Sequence, residues 1–119
     1  NPLSTEITID KNFSNILKKH HGNQYKAFTT KSMTWSSLKS KYENFFKEID
    51  FLKIDIEGAD LSLLKSMDLN KLKVKLIMVE ASHLNDSDRK KTINFLSSKN
   101  FSNLFDNNVN VIFENQNLI

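Results

Sequence analysis

Two short apolar blocks, each closing on a carboxylate, constrain this chain more than any other feature: Ile49-Asp-Phe-Leu-Lys-Ile-Asp55 and Val74-Lys-Leu-Ile-Met-Val-Glu80. Blocks of this length and β-branched content read as buried strands of a parallel sheet. Between them Ala59, Leu61, Leu64 and Met67 recur at helical spacing. The segment is therefore strand, helix, strand, the unit of a parallel α/β sheet with a right-handed crossover. Beyond Glu80, Ser87 is placed to cap a helix running to about Lys99, with Ile93 and Leu96 inward. Phe101 to Phe105 and Val109 to Glu114 follow as two short strands, joined by a hairpin turn at Asp106-Asn107-Asn108. The whole reads β-α-β-α-β-β, parallel strands finished by an antiparallel pair.

Upstream, Asp10 is placed to cap a short helix carrying Phe13, Ile16 and Leu17, with Gly22 as its stop, and a β-prone stretch runs from Tyr25 to Met33. Thr34 occupies an N-cap position before Trp35, Leu38, Tyr42, Phe45 and Phe46. Their spacings of three and four predict one amphipathic helix with an aromatic stripe, which we assign to the core rather than to substrate stacking.

Composition narrows the function classes. A chain of 119 residues, 39% apolar and 26% charged, suits one folded domain or a piece of a larger one, and the absence of an initiator methionine leads us to expect a fragment. The net charge of +3 is carried by scattered lysines, with Arg89 the sole arginine. Nucleic-acid recognition favours arginine forks and stacking platforms, so we expect no nucleic-acid partner. Without cysteine there is no disulfide, no thiolate nucleophile and no cysteine-based zinc site. No apolar run approaches the ~20 residues of a membrane span, and Asn-Pro-Leu-Ser-Thr-Glu does not resemble a signal peptide. The expectation is a cytoplasmic protein with no membrane partner. The Asn-x-Ser sequons at Asn12, Asn85 and Asn100 are attributed to chance in an Asn- and Ser-rich chain.

The segment that carries chemistry is Phe51-Leu-Lys-Ile-Asp-Ile-Glu-Gly-Ala-Asp60, followed by Leu63-Leu64-Lys65. In open parallel sheets ligands bind beyond the carboxyl ends of the strands, where Asp55, Glu57 and Glu80 fall. Side chains alternate along a strand, so Lys53 and Asp55 share a face, and the ammonium can hold the carboxylate ionised. Charges inside a buried strand are costly, which marks this pair as site residues. Glu57 has a plainer alternative, a carboxylate favoured by the dipole of the following helix. Gly58 fits a tight turn or the close approach of a ligand. Glu80 and His83, at the end of the next strand, are candidate substrate contacts, with His83 a candidate base on a hydroxyl. His20 and His21 read as surface residues.

This segment closely resembles the Leu-Lys-Ile-Asp-x-Glu-Gly signature of the FkbM-type S-adenosylmethionine-dependent methyltransferases. The resemblance also takes in Thr34 and its helix, the strand ending Val79-Glu80, the helix before Asn100-Phe101, and Asn110-Val-Ile-Phe113. It divides the single domain into a lead-in, residues 1–24, and a family-like core, residues 25–119. Two departures are Asp60, where the family more often has glutamate, and Ser66, where a glycine commonly follows. Losing that helix-ending glycine predicts a helix running on toward Asp68. The fold implied is part of a class I, Rossmann-like methyltransferase sheet. Its strands would stand in the order four, five, seven, six, with strand four an apolar edge that a missing N-terminal half or a homodimer partner would cover. The activity implied is O-methylation of a sugar or small-metabolite hydroxyl, with Asp55 as base or orienter supported by Lys53 and Glu57.

The cofactor implied is S-adenosylmethionine, yet this family of folds holds it with a glycine-rich loop. Gly22 and Gly58, the chain's only glycines, cannot form one. We therefore place the cofactor site largely outside this chain and expect the chain alone to be inactive. The competing reading is a non-catalytic ligand-binding or dimerisation module, for which replacing Asp55 would spare all activity. A third arrangement would make Asp55, Glu57 and Glu80 an oxygen-ligand site for magnesium or calcium. The spacing does not draw these three into a closer cluster, and no metal is assigned.

Overall fold

The computed structural model describes residues 30–119 together with Asn15, Lys18 and Lys19, which are helical. The expected N-terminal helix and most of the Tyr25 to Met33 stretch otherwise lie outside the described residues. Thr30–Met33, the end of that stretch, form no strand.

The first helix whose bounds are described, α1, spans Trp35–Lys41 and is capped as expected: the Thr34 hydroxyl accepts a hydrogen bond from the Ser37 N–H at 3.1 Å. It does not continue through the aromatic stripe. The α-helix ends at Lys41 and the chain tightens into a 3₁₀ turn, Glu43–Phe46. Its three-residue period brings Phe46 edge-on to Trp35, with ring centroids 5.0 Å apart, and turns Phe45 outward, 78% exposed. Trp35 is core, as assigned, whereas Tyr42 and Phe45 are not.

Strand β1 (Glu48–Ile54), helix α2 (Asp60–Ser66) and strand β2 (Lys73–Glu80) form the β-α-β unit, with β1 and β2 parallel. Helix α3 (Asp86–Ser98) leads to β3 (Phe101–Asp106) and β4 (Asn110–Asn115). Both pair antiparallel, β4 against β2 and β3 against β4, giving the order β1-β2-β4-β3. This is a mixed α/β sheet with one parallel pair, in the expected order.

Two helix ends depart from expectation. Asn85, not Ser87, caps α3, because its carboxamide oxygen accepts the Asp88 N–H at 2.8 Å and leaves Ser87 inside the first turn. Helix α2 stops at Ser66 despite lacking a glycine there. The Met67 N–H closes onto the carbonyls of Leu63 and Leu64, and Met67 turns extended to bury its side chain.

One face of the sheet carries the core. Ile54, Val79 and Val111 lie side by side across three strands, as do Leu52, Ile77 and Phe113. Leu64 of α2 and Leu96 of α3 belong to the same core cluster and are fully buried. Asn115 closes one end, its side-chain amide donating to the Val74 carbonyl at 2.9 Å in a buried position. The other face presents Phe51 and Phe105, each 49% exposed, in the rows that hold Leu76, Met78 and Ile112.

Left-handed residues mark the chain reversals. Asn100 (φ 65°) ends α3 and Asn108 (φ 68°) turns the hairpin, where the side chains of Asp106 and Asn107 accept backbone N–H groups. Glu57 (φ 50°) and Gly58 (φ 105°) form the turn between β1 and α2.

Candidate functional site

The turn Asp55–Ala59 and the segment Glu80–His83 face each other at the carboxyl ends of the two parallel strands, and all six candidate residues belong to them or to β1. Lys53 and Asp55 share a face as predicted, and their charges meet at 3.1 Å. The reason given for them does not hold. Their side chains are 51% and 34% exposed, because β1 is the edge strand of the described sheet and its Lys53 face is open, so the buried-charge penalty is small.

The Lys53 ammonium beside Asp55 holds that carboxyl below its ordinary range. Burial opposes the shift, a hydrogen bond with Glu80 adds to it, and the charges of Lys53 and His83 contribute further. Asp55 thus senses both Glu80 and His83. An ionised carboxylate of this kind is a steady hydrogen-bond acceptor and a weak proton acceptor, which favours orienting a hydroxyl over deprotonating it.

Glu57 does not sit in the first turn of α2. The helix begins at Asp60 with Ala59 as its cap residue, so the helix-dipole explanation passes to Asp60. Glu57 instead occupies the left-handed conformation that non-glycine residues adopt only at a cost, and Gly58 follows at a φ that a Cβ would oppose. The tight-turn role of Gly58 is therefore seen directly, and its N–H donates to Asp60 Oδ2 at 3.3 Å.

His83 is not a solvated loop residue. Its side chain is only 8% exposed, with Nδ1 4.0 Å from Glu80 Oε2 and Nε2 4.0 Å from Asp60 Oδ2. Glu80 is held in turn by the Ser82 hydroxyl, which donates to Oε1. Asp60 is the residue that sequence reasoning passed over as a mild departure. It is 2% exposed and stands behind His83. The available signal was its place two residues after a turn glycine, where the chain folds its carboxylate back on the turn. The donor group that converges is also different from the one weighed above. Glu57, Glu80 and His83 place ligand atoms within 4.8 Å of one another, and Asp55 is not among them.

A cleft of about 720 Å³ adjoins the Lys53–Asp55 pair, walled by Trp35, Leu38, Phe46, Leu52 and Met67. The described residues do not by themselves fit a nucleoside cofactor. Gly58 is their only glycine, its N–H is turned to Asp60, and no glycine-rich cradle of backbone N–H groups lies among them. What converges is suited instead to accepting hydrogen bonds.

A sheet that gathers carboxylates and a histidine beyond the ends of parallel strands is the arrangement of open α/β domains whose ligands bind at that edge. Residues 6–105 match the family model described as "Methyltransferase FkbM domain". The chain belongs to that family. No curated protein and no solved structure matches it. No described helix is long and apolar enough to cross a membrane.

Proposed function

We propose that the chain is the acceptor-side part of an S-adenosylmethionine-dependent O-methyltransferase acting on a hydroxyl of a sugar or small metabolite in the cytoplasm. The observation that carries this reading is the convergence of Glu57, Glu80 and His83, beside the Lys53–Asp55 pair, at the carboxyl ends of the parallel strands in a chain of the FkbM family. Polyhydroxylated acceptors are bound by hydrogen bonds, and these side chains supply acceptors on two facing segments.

The roles divide by environment. Asp55, ionised beside Lys53, orients the hydroxyl. His83, held between two carboxylates, is placed to take its proton, a function that typically contributes about 10²–10⁴-fold in rate. Glu57 and Glu80 fix neighbouring hydroxyls, and the turn at Gly58 sets the position of Glu57. S-adenosylmethionine supplies the methyl group, and residues outside 30–119 hold it. The sheet belongs to a class I fold, and its open face, with Phe51 and Phe105, is covered by the cofactor-binding half or by a second copy.

The test is methyl transfer from labelled S-adenosylmethionine to a panel of sugars and hydroxylated metabolites, using any longer natural form of the polypeptide. Transfer that falls at least about 100-fold in both Asp55→Ala and His83→Gln supports the reading. Transfer that survives Asp55→Ala intact returns the chain to a non-catalytic module.

A further inference from the structure

Glu57, Glu80 and His83 come from three separate places: the left-handed turn after β1, the last residue of β2, and the loop beyond it. Their donor atoms nevertheless lie within 4.8 Å of one another, so that a shift of less than about 1 Å brings the widest pair into the span one cation bridges. The Nδ1 of His83 and Oε2 of Glu80 are 4.0 Å apart. That is too long for a hydrogen bond, and it lies within the span of about 3–4.2 Å between two donors bound to one cation at roughly 2.1 Å each.

A second observation points the same way. On the far side of the imidazole, Nε2 lies 4.0 Å from Oδ2 of Asp60, a carboxylate whose side chain is only 3% exposed. The other oxygen of that carboxylate, Oδ1, is buried and accepts no hydrogen bond among the described residues. Burying a carboxylate with half its acceptor capacity unused is costly and calls for compensation. A carboxylate behind a histidine supplies the outer partner that fixes ring orientation and raises basicity when the opposite nitrogen ligates a metal. Nδ1 faces Glu80 and Nε2 faces Asp60, each at 4.0 Å, so Asp60 stands in the outer-partner position without a hydrogen bond formed to the ring.

We propose that Glu57, Glu80 and His83 form a binding site for one divalent transition cation, of the manganese or zinc class, with Asp60 orienting His83 from behind. An imidazole among the three ligands selects against magnesium and calcium, whose sites are built of oxygen. Two carboxylates balance the charge of the ion. Three protein ligands leave coordination positions for water or an acceptor hydroxyl. The site rests on the donor set alone and not on methyl transfer; with the ion bound His83 is a ligand, and the proton-accepting role proposed for it belongs to the ion-free protein.

The test titrates Zn²⁺ and Mn²⁺ into the chelator-treated 119-residue chain by calorimetry, with Co²⁺ absorption as a readout of nitrogen ligation. The expected result is one ion per chain, with binding weakened at least about tenfold in His83→Gln and in Glu80→Gln, and about tenfold in Asp60→Asn. The double change of His20→Gln and His21→Gln leaves binding intact. Circular dichroism checks that each variant folds, and Glu57→Gln is the further ligand variant for any that does not. Absence of saturable binding below 1 mM overturns the site. So does binding that ligand substitutions leave unchanged, and so does magnesium bound as tightly as zinc or manganese.

Discussion

The turn that presents Glu57 gives the sharpest test of the site's architecture, because the sign of one substitution depends on it. At a glycine with ordinary negative φ, alanine stabilises by about 0.4–1 kcal/mol, since it removes freedom from the unfolded chain. Gly58 has φ 105°. A Cβ there costs about 1–3 kcal/mol of steric strain. Subtracting the unfolded-chain gain leaves Gly58→Ala destabilised by up to about 2.6 kcal/mol. In urea, with a slope near 1–1.5 kcal/mol/M for a chain of this size, the midpoint falls by up to roughly 2.6 M. Glu57 at φ 50° predicts the reverse. Glu57→Gly relieves about 1–2 kcal/mol of left-handed strain against about 0.4–1 kcal/mol of added chain entropy, leaving stability unchanged or slightly raised. Urea melts of both variants followed by circular dichroism decide the matter. A stabilised Gly58→Ala would show that the turn does not have the backbone described, and the placement of Glu57 would fall with it.

Other perturbations follow from the same geometry. Lys53→Met removes the main cause of Asp55's lowered pKa, so the Asp55 carboxyl should titrate closer to its ordinary 3.8 in a carbon-detected NMR titration. The sign is that of a depressed carboxylate: the ion pair's contribution is present above pH 3.8 and is lost as pH falls through the lower folded value. The exposure of the pair keeps that contribution small. Phe113, 1% exposed and opposite Ile77 on a central strand, should lose about 3–5 kcal/mol on replacement by alanine, read from the shift in urea midpoint. Asn115→Ala strands the Val74 carbonyl and should cost about 1–3 kcal/mol in the same assay.

How much of this was legible in the sequence depended on which force governed each feature. The strands and their order were readable because Ile49–Asp55 and Val74–Glu80 are continuous apolar blocks set either side of a helical period, and the final Asp-Asn-Asn permits only a tight reversal. Thr34 announced its helix by local capping chemistry. Periodicity then misled at Tyr42 and Phe45, because packing Phe46 on Trp35 required a tighter turn that spacing alone cannot reveal. Asn85 and Ser87 are both competent caps, and only the geometry of the loop chooses between them.

At the site, the Lys53–Asp55 pairing followed from strand alternation, but the inference of burial failed because covering a strand is a tertiary property. The plainer alternative for Glu57, a place in the first turn of the helix, fails because a left-handed pair before the helix leaves no mark in the sequence beyond one glycine. The partnership of Asp60 with His83 joins the start of α2 to the loop after β2. No local pattern predicts a contact of that separation. The sequence motif therefore located the edge of the sheet where the candidate site lies, while the grouping of its side chains came from the fold.

We propose that this chain supplies the acceptor side of a methyltransferase whose cofactor is held elsewhere. Isothermal titration of S-adenosylmethionine and its demethylated product into the 119-residue chain, beside any longer natural form of the polypeptide, tests it most directly. We expect binding by the longer form and none by the chain alone. Binding by neither, or full affinity in the chain alone, would contradict it.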